Sequence, residues 1–247
     1  MSLPKPYYTD DACTIYHGDC RDILPALDSA DAIVTDPPYS ETSLKWDVWP
    51  AGWVGLCSKL VNSLWCFGSL RMFVLRHTDF EDWKMSQDIV WEKHNGSNSL
   101  NDRFRRVHEL AVHFYQGDWD RVYKNPIYTN DASKRTVRRK CKPAHWGDIG
   151  ASSYQSEDGG PRLERSVIYS RSCHGHALHP TEKPAGILRP LILYSVPLKG
   201  IVLDPFMGSG STLRVAKDIS RRAIGIEINE QDCEISARRL EQEVLAL

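Results

Sequence analysis

The sequence predicts an α/β fold, with a mostly parallel sheet covered by helices on both faces, and three observations lead there. Short runs of β-branched and apolar residues alternate with helix-length segments along most of the chain. Three of those runs, at 32–35, 201–203 and 223–227, finish at or just before a carboxylate. A glycine-rich turn, Gly208-Ser209-Gly210, leads directly from one of them into a helical pattern. With 247 residues, the chain can bury one sizeable core and carry a small insertion, but two full domains would not fit comfortably.

In chain order the predicted strands are 14–17, 32–35, 64–67, 88–91, 110–115, 201–203 and 223–227. A helix is expected over 211–220, immediately after the glycine turn. The terminal segment 229–247 opens on Asn229, a favoured N-cap, and sets Cys233, Ala237, Leu240 and Val244 on one face, as an amphipathic packing helix does. Residues 117–172 break the rhythm, being rich in Lys, Arg, Ser, Gly, Asp and Tyr with few periodic apolar positions. They are read as an insertion between 1–116 and 173–247. No internal repeat or long low-complexity tract occurs.

No apolar run is long enough to cross a bilayer, so no membrane role is expected. The N-terminus has no basic start followed by an apolar stretch, so export is not expected either. Seven scattered cysteines without a CxxC pair point to reduced thiols, which agrees with a cytoplasmic location. The net charge of −1 hides a basic middle, because residues 103–142 hold eleven Lys or Arg against four acids. Its densest part supplies Lys134, Arg135, Arg138, Arg139, Lys140 and Lys142. Such a run is ordinarily a solvated surface, and becomes a candidate phosphate contact only beside other nucleic-acid signals.

Two segments carry candidate chemistry. The first is the apolar run 31–35 followed by Asp36-Pro37-Pro38-Tyr39. Ligands of open α/β sheets gather beyond the carboxyl ends of strands, and consecutive prolines stiffen the backbone while leaving carbonyls free to accept. Asp36 and the Pro37 carbonyl could together hold an NH2 group; a stiff surface turn is the bland alternative. The second is Asp204-Pro205-Phe206-Met207-Gly208-Ser209-Gly210-Ser211-Thr212, after which the run 223–227 ends in Glu227. Glycines let a ligand approach the backbone, and a strand-end acid at this offset can accept both hydroxyls of a ribose. The spacing is neither that of GxGxxG nor that of a GxxxxGK[ST] phosphate loop, which favours a ribose-containing cofactor without a pyrophosphate.

These segments, with His179-Pro180-Thr181-Glu182-Lys183-Pro184, resemble the amino-methylating DNA methyltransferases of the beta, or permuted, group, in which the catalytic motif precedes the cofactor motif. The likeness extends to Tyr16-His17-Gly18-Asp19-Cys20, to Val90-Trp91-Glu92-Lys93 and to His108-Glu109-Leu110. It implies a doubly wound, Rossmann-like seven-stranded sheet that binds S-adenosyl-L-methionine, with 1–116 as the catalytic half, 117–172 as a target-recognition insertion and 173–247 as the cofactor half. Asp36, Pro37, Pro38 and Tyr39 would be catalytic, with Asp36 also bordering the cofactor. Asp204 and Phe206 would lie against the methionine part, Gly208, Ser209, Gly210, Ser211 and Thr212 would form the turn beside it, and Glu227 would bind the ribose. Asp19 and Cys20 would flank the adenine. His179, Thr181 and Lys183 would complete the methionine end, with Lys183 meeting its carboxylate.

Pro190 departs from the expected helix after Pro184 and should kink or shorten it. The implied partner is double-stranded DNA, contacted through the basic run, in a cytoplasmic bacterial or phage-encoded enzyme. Related enzymes often dimerise, so a homodimer is an open expectation. An Asp at the head of the tetrapeptide favours N6 of adenine over N4 of cytosine. A non-catalytic DNA-binding protein, or a methyltransferase of RNA or of protein glutamine, is disfavoured by the intact tetrapeptide and by the motif order. Cys141, His145, Cys173, His174, His176 and His179 include zinc-ligand types, but their spacing matches no recognised finger, so a polar loop is the reading and no metal is expected.

Overall fold

The computed structural model describes residues 2–97, 102, 104–139, 152–172 and 182–242. In chain order the elements are β1 (Tyr8–Thr9), β2 (Cys13–His17), α1 (Cys20–Ile23), β3 (Ala32–Thr35), α2 (Trp53–Cys57), β4 (Ser63–Gly68), α3 (Leu70–Leu75), β5 (Lys84–Ser97) and β6 (Arg106–Tyr115). Then come β7 (Tyr128–Thr129), β8 (Arg135–Arg139), β9 (Ser152–Ser156), β10 (Arg162–Leu163), β11 (Val167–Tyr169), α4 (Ala185–Ser195), β12 (Ile201–Asp204), α5 (Ser211–Asp218), β13 (Arg222–Glu227) and α6 (Glu230–Glu241).

Among the described residues the main sheet runs β1-β2-β13-β12-β3-β4-β6-β5-β11. Its central seven strands are those the sequence predicts, and the two short edge strands β1 and β11 are additions too brief to leave a period. Pairing is parallel from β2 through β13, β12 and β3 to β4, while β6 lies antiparallel to both β4 and β5. The β5–β6 hairpin is much longer than the apolar runs 88–91 and 110–115, because its charged outer ends continue the ladder without apolar alternation.

Alternate residues of each central strand serve opposite faces, as the two-residue strand period requires. On β3, Ala32 and Val34 enter one core and Ile33 the other; on β4, Trp65 and Phe67 enter the first, Leu64 and Cys66 the second. The first core is closed by α4, α5 and α6 through Ile187, Leu191, Leu213, Ala216, Cys233 and Leu240. The second is closed by Ile23, Trp53, Val54, Met72 and Phe80. Helices on both faces make the sheet doubly wound.

Two helices test the sequence reading. Asn229 does cap α6, accepting from Gln231 N at 2.9 Å, and Cys233 and Leu240 are buried beneath it with Ala237 packed alongside; Val244 lies outside the described residues. Pro190 sits inside α4 without ending it, and the helix runs on to Ser195. Near-complete burial of Ile187, Leu188, Leu191 and Ile192 offsets the missing backbone hydrogen bond, each such side chain contributing about 1.5–3 kcal/mol.

The chain divides into two compact units, Met1–Asn125 with Ser166–Leu247, and Pro126–Arg165. The smaller unit falls inside the 117–172 segment, while β11 belongs to the main sheet, paired parallel to β5. Its described strands form two small antiparallel pairs, β7 with β10 and β8 with β9. No helix among the described residues is long and apolar enough to cross a membrane.

Candidate active site

From β12 the chain crosses through α5 to β13 on one side, whereas from β3 it crosses through α2 to β4 on the other. The adjacent pair β3 and β12 is therefore the switch point of the sheet, where ligand crevices form. Asp36 follows the last residue of β3 and Asp204 is the last residue of β12. The Thr35 hydroxyl donates to Asp204 Oδ1 at 2.7 Å and ties the two strand ends together. Asp204 also accepts from Phe206 N at 3.2 Å. Burial pushes its carboxyl up to about 6 against the hydrogen bonds from Thr212 and Thr35.

Asp36 is held from two sides. The Tyr39 hydroxyl donates to its Oδ1 and the Lys183 ammonium to its Oδ2. Burial raises the Asp36 carboxyl, countered by Lys183 and reinforced by the charge of Glu109. Among the described residues no backbone N–H donates to the Pro37 carbonyl. The loop after the tetrapeptide is organised by buried Asp47, which accepts from Ser40 N, Glu41 N and Thr42 N at 2.8, 2.9 and 2.7 Å, with Ser40 in the left-handed region at φ 58°.

The glycine turn packs on α6. Gly208 and Gly210 have φ of 50° and 76°, and a Cβ on Gly210 would come within 2.7 Å of Ser236 Oγ, so only glycine fits there. By contrast, nothing lies within 4 Å of the Cβ position of Gly208, so a ligand has room on that side of the turn. Glu227, at the end of β13, accepts from Gly208 N through Oε2 and from Asn229 N through Oε1, both at 2.9 Å. A carboxylate offers about four lone-pair sites, so these backbone bonds still leave capacity for a ribose hydroxyl. Burial raises the Glu227 carboxyl, countered by the backbone hydrogen bonds it accepts. Asp19 lies beyond the end of β2, next to β13. There it caps α1 and pairs with Arg21 at 2.5 Å, while Cys20 is buried.

Several predicted residues thus gather at the carboxyl ends of adjacent strands: Asp36 and Tyr39 after β3, Asp204 to Thr212 after β12, Glu227 on β13 and Asp19 after β2. Lys183, expected at the methionine carboxylate, pairs with Asp36 and with Glu109 Oε2, the latter at 3.4 Å. His179 and Thr181 lie outside the described residues, as do Lys140, Lys142 and the side chain of Arg139, and the Cys and His residues weighed for zinc at 141, 145, 173, 174, 176 and 179. Lys134, Arg135 and Arg138 belong to the smaller unit, where they are exposed.

Sequence reasoning assigned no role to Glu109, Lys93 or Arg239. Glu109, on β6, accepts from Lys93 on β5. The register pairs Trp91 with Glu109, so Lys93 is its diagonal neighbour on the same face, a relation visible only once the hairpin is known. Burial works to raise Glu109, but the ammonium groups of Lys183 and Lys93 outweigh it and hold the carboxyl at about 2. Arg239 of α6 donates to Ser211 Oγ at 2.7 Å and pairs with Glu182 at 2.9 Å, clamping the glycine turn to the segment that carries Lys183.

The chain matches known proteins over most of its length. A family model described as DNA methylase matches residues 30–238. The type II methyltransferase M.ScaI of Streptomyces caespitosus is 26% identical over 274 residues, covering 100% of this chain and 87% of that protein. A solved M1.HpyAVI–SAM complex shares 24% identity with a TM-score of 0.63, covering 93% of this chain and 100% of that one. The cytosine-N4-specific PvuII DNA methyltransferase shares 16% identity with a TM-score of 0.67, covering 98% and 91%. The strand-end carboxylates and the glycine turn fall within the matched stretch, and the chain belongs to the N6/N4 DNA methylase family, the S-adenosylmethionine-dependent methyltransferases that act on DNA.

Proposed function

We propose that this chain methylates N6 of adenine in double-stranded DNA, as a member of the permuted group, with Asp36, Pro37, Pro38 and Tyr39 as its catalytic tetrapeptide. The observation that carries the reading is the juxtaposition of Asp36 with Asp204 at the switch point, next to the Pro37 carbonyl, to which no backbone N–H donates among the described residues. S-adenosylmethionine, when bound, supplies an activated sulfonium methyl. The residues suit it: Glu227 has capacity left for a ribose hydroxyl, the turn has room beside Gly208, and Asp204 and Phe206 border the methionine end.

An exocyclic amino nitrogen is a poor nucleophile because its lone pair is delocalised into the ring. Hydrogen bonds from the NH2 group to the Asp36 carboxylate and the Pro37 carbonyl draw that pair out of conjugation and stabilise the positive charge developing on nitrogen. The target base must leave the duplex to reach these acceptors, and stacking on Tyr39 recovers part of the unstacking cost. Residues 1–116 act as the catalytic half, 173–247 as the cofactor half and 117–172 as the target-recognition segment. Within it, β8 and β9 form a two-stranded ribbon, an element of a width that enters the major groove, bearing Arg135 and Arg138. A cytoplasmic enzyme that can pair as a homodimer fits this reading.

Labelled S-adenosylmethionine offered with duplex DNA, single-stranded DNA and RNA, followed by nucleoside analysis, tests it. N6-methyladenine in duplex DNA is the expected product. N4-methylcytosine alone would move the assignment to the other base of the family, and label in RNA or in neither nucleic acid would overturn the proposal.

A further inference from the structure

Behind the tetrapeptide lies a half-buried row of alternating charges, Lys93, Glu109, Lys183 and Asp36, drawn from β5, β6, the segment before α4 and the end of β3, with Lys183 buried at its centre. Lys183 is the hinge of the row. Its Nζ contacts Asp36 Oδ2 and lies 3.4 Å from Glu109 Oε2, and it is only 8% exposed. The other groups facing it are the Tyr39 phenol, the Cys66 thiol and the rings of Phe67 and Trp91, 5.3 and 6.0 Å away. Two carboxylates and two ammonium groups balance.

That balance matters because the carboxylate gripped by Lys183 is the one that must stabilise positive charge on the target nitrogen. An uncompensated ammonium beside it in a poorly solvated pocket would oppose the same charge. Resting on the methyl-transfer reading above, we infer that Glu109 is a positioning residue: it sets a second carboxylate beside the Lys183 ammonium that grips Asp36 and cancels its charge, keeping Asp36 an effective acceptor.

The test is Glu109→Gln, which keeps the shape and removes the charge. Cofactor affinity and KM for DNA should stay within about twofold, while kcat falls about 10- to 100-fold at pH 7.5, a loss of the size that follows removal of one group stabilising a transition state. Lys183, left buried with one carboxylate instead of two, should release its proton more readily. The deficit of Glu109→Gln should therefore shrink as pH rises toward 10, while the wild type changes little. Glu109→Asp keeps the charge and should retain most of the rate with the wild-type pH profile, and it serves as the probe if the Gln variant does not fold.

A Gln variant that equals the wild type at every pH would overturn the inference, as would a deficit that ignores pH and is matched by Glu109→Asp. Wild-type protein that transfers no methyl to DNA would instead defeat the reading on which the inference rests.

Discussion

The hydroxyl of Thr35 donates to the Asp204 carboxylate at 2.7 Å, joining the last residues of two neighbouring strands whose chains then leave in opposite directions. Asp36 is the next residue, so one hydrogen bond sets the spacing between the candidate acceptor of the base and the candidate cofactor crevice. Thr35→Val keeps the shape and removes the donor. A hydrogen bond to a charged group is worth about 1.5–3 kcal/mol, so the variant should lose that much stability in urea unfolding and bind the cofactor more weakly in calorimetric titration.

Cofactor binding should weaken in acid. Burial raises the Asp204 carboxyl to about 6, so it gains a proton as pH falls through that value, loses its charge and becomes a weaker acceptor for a bound ligand. The dissociation constant should rise between pH 7.5 and 5, and Asp204→Asn should flatten the dependence while binding weakly throughout.

Asp36→Ala should abolish methyl transfer while leaving cofactor affinity within a few-fold, since its carboxylate serves mainly the amino group in the transition state. Single-turnover transfer and calorimetry on the same preparation separate the two effects. Loss of both together would mean that Asp36 organises the pocket as a whole.

His113 is fully buried, bonded to Ser63 and Ser86 through its two ring nitrogens and stacked 4.6 Å from Trp65. Burial lowers its imidazole to about 4. The unfolded chain takes up this proton near pH 6.5, so the stability His113 contributes is complete above that value and is lost as pH falls toward 4. Linkage gives roughly 2 kcal/mol less stability at pH 5 than at pH 7.5 from this group alone. Urea unfolding of the wild type and of His113→Gln at both pH values measures it: the wild type should lose roughly 2 kcal/mol more than the variant on going from pH 7.5 to 5.

Arg135 and Arg138 are exposed on β8 of the smaller unit. If they meet DNA phosphates, replacing both with Glu should weaken DNA binding at low salt and reduce the slope of log affinity against log salt by about 0.9 for each phosphate no longer neutralised. An unchanged slope would remove this ribbon from the interface. Methyl transfer to a flipped or single-stranded base should suffer less than transfer to duplex DNA.

Much of the site was legible from local pattern. Asp36, Asp204 and Glu227 could be read as strand-end carboxylates because an apolar run stopping at an acid is unusual in a buried strand. The need for glycine at Gly210 was legible as a turn, though its cause, the close approach of Ser236 on α6, was not. The motif neighbours of Lys183 pointed to the cofactor, and only the fold reveals that its ammonium also lies between Asp36 and Glu109. Nothing in the spacing of Glu109, Lys93 and Lys183 reveals that they meet, because the hairpin register and the approach to α4 bring them together.

The sequence by itself determined where strands end, which turns require glycine and which positions face a core, because these depend on the alternation, capping and backbone freedom of neighbouring residues. Only the tertiary structure decided that β3 lies against β12, that Thr35 reaches Asp204 and that a half-buried row of charges backs Asp36. Those relations join residues far apart in the chain, and they are set by which apolar faces pack across the sheet rather than by any local preference.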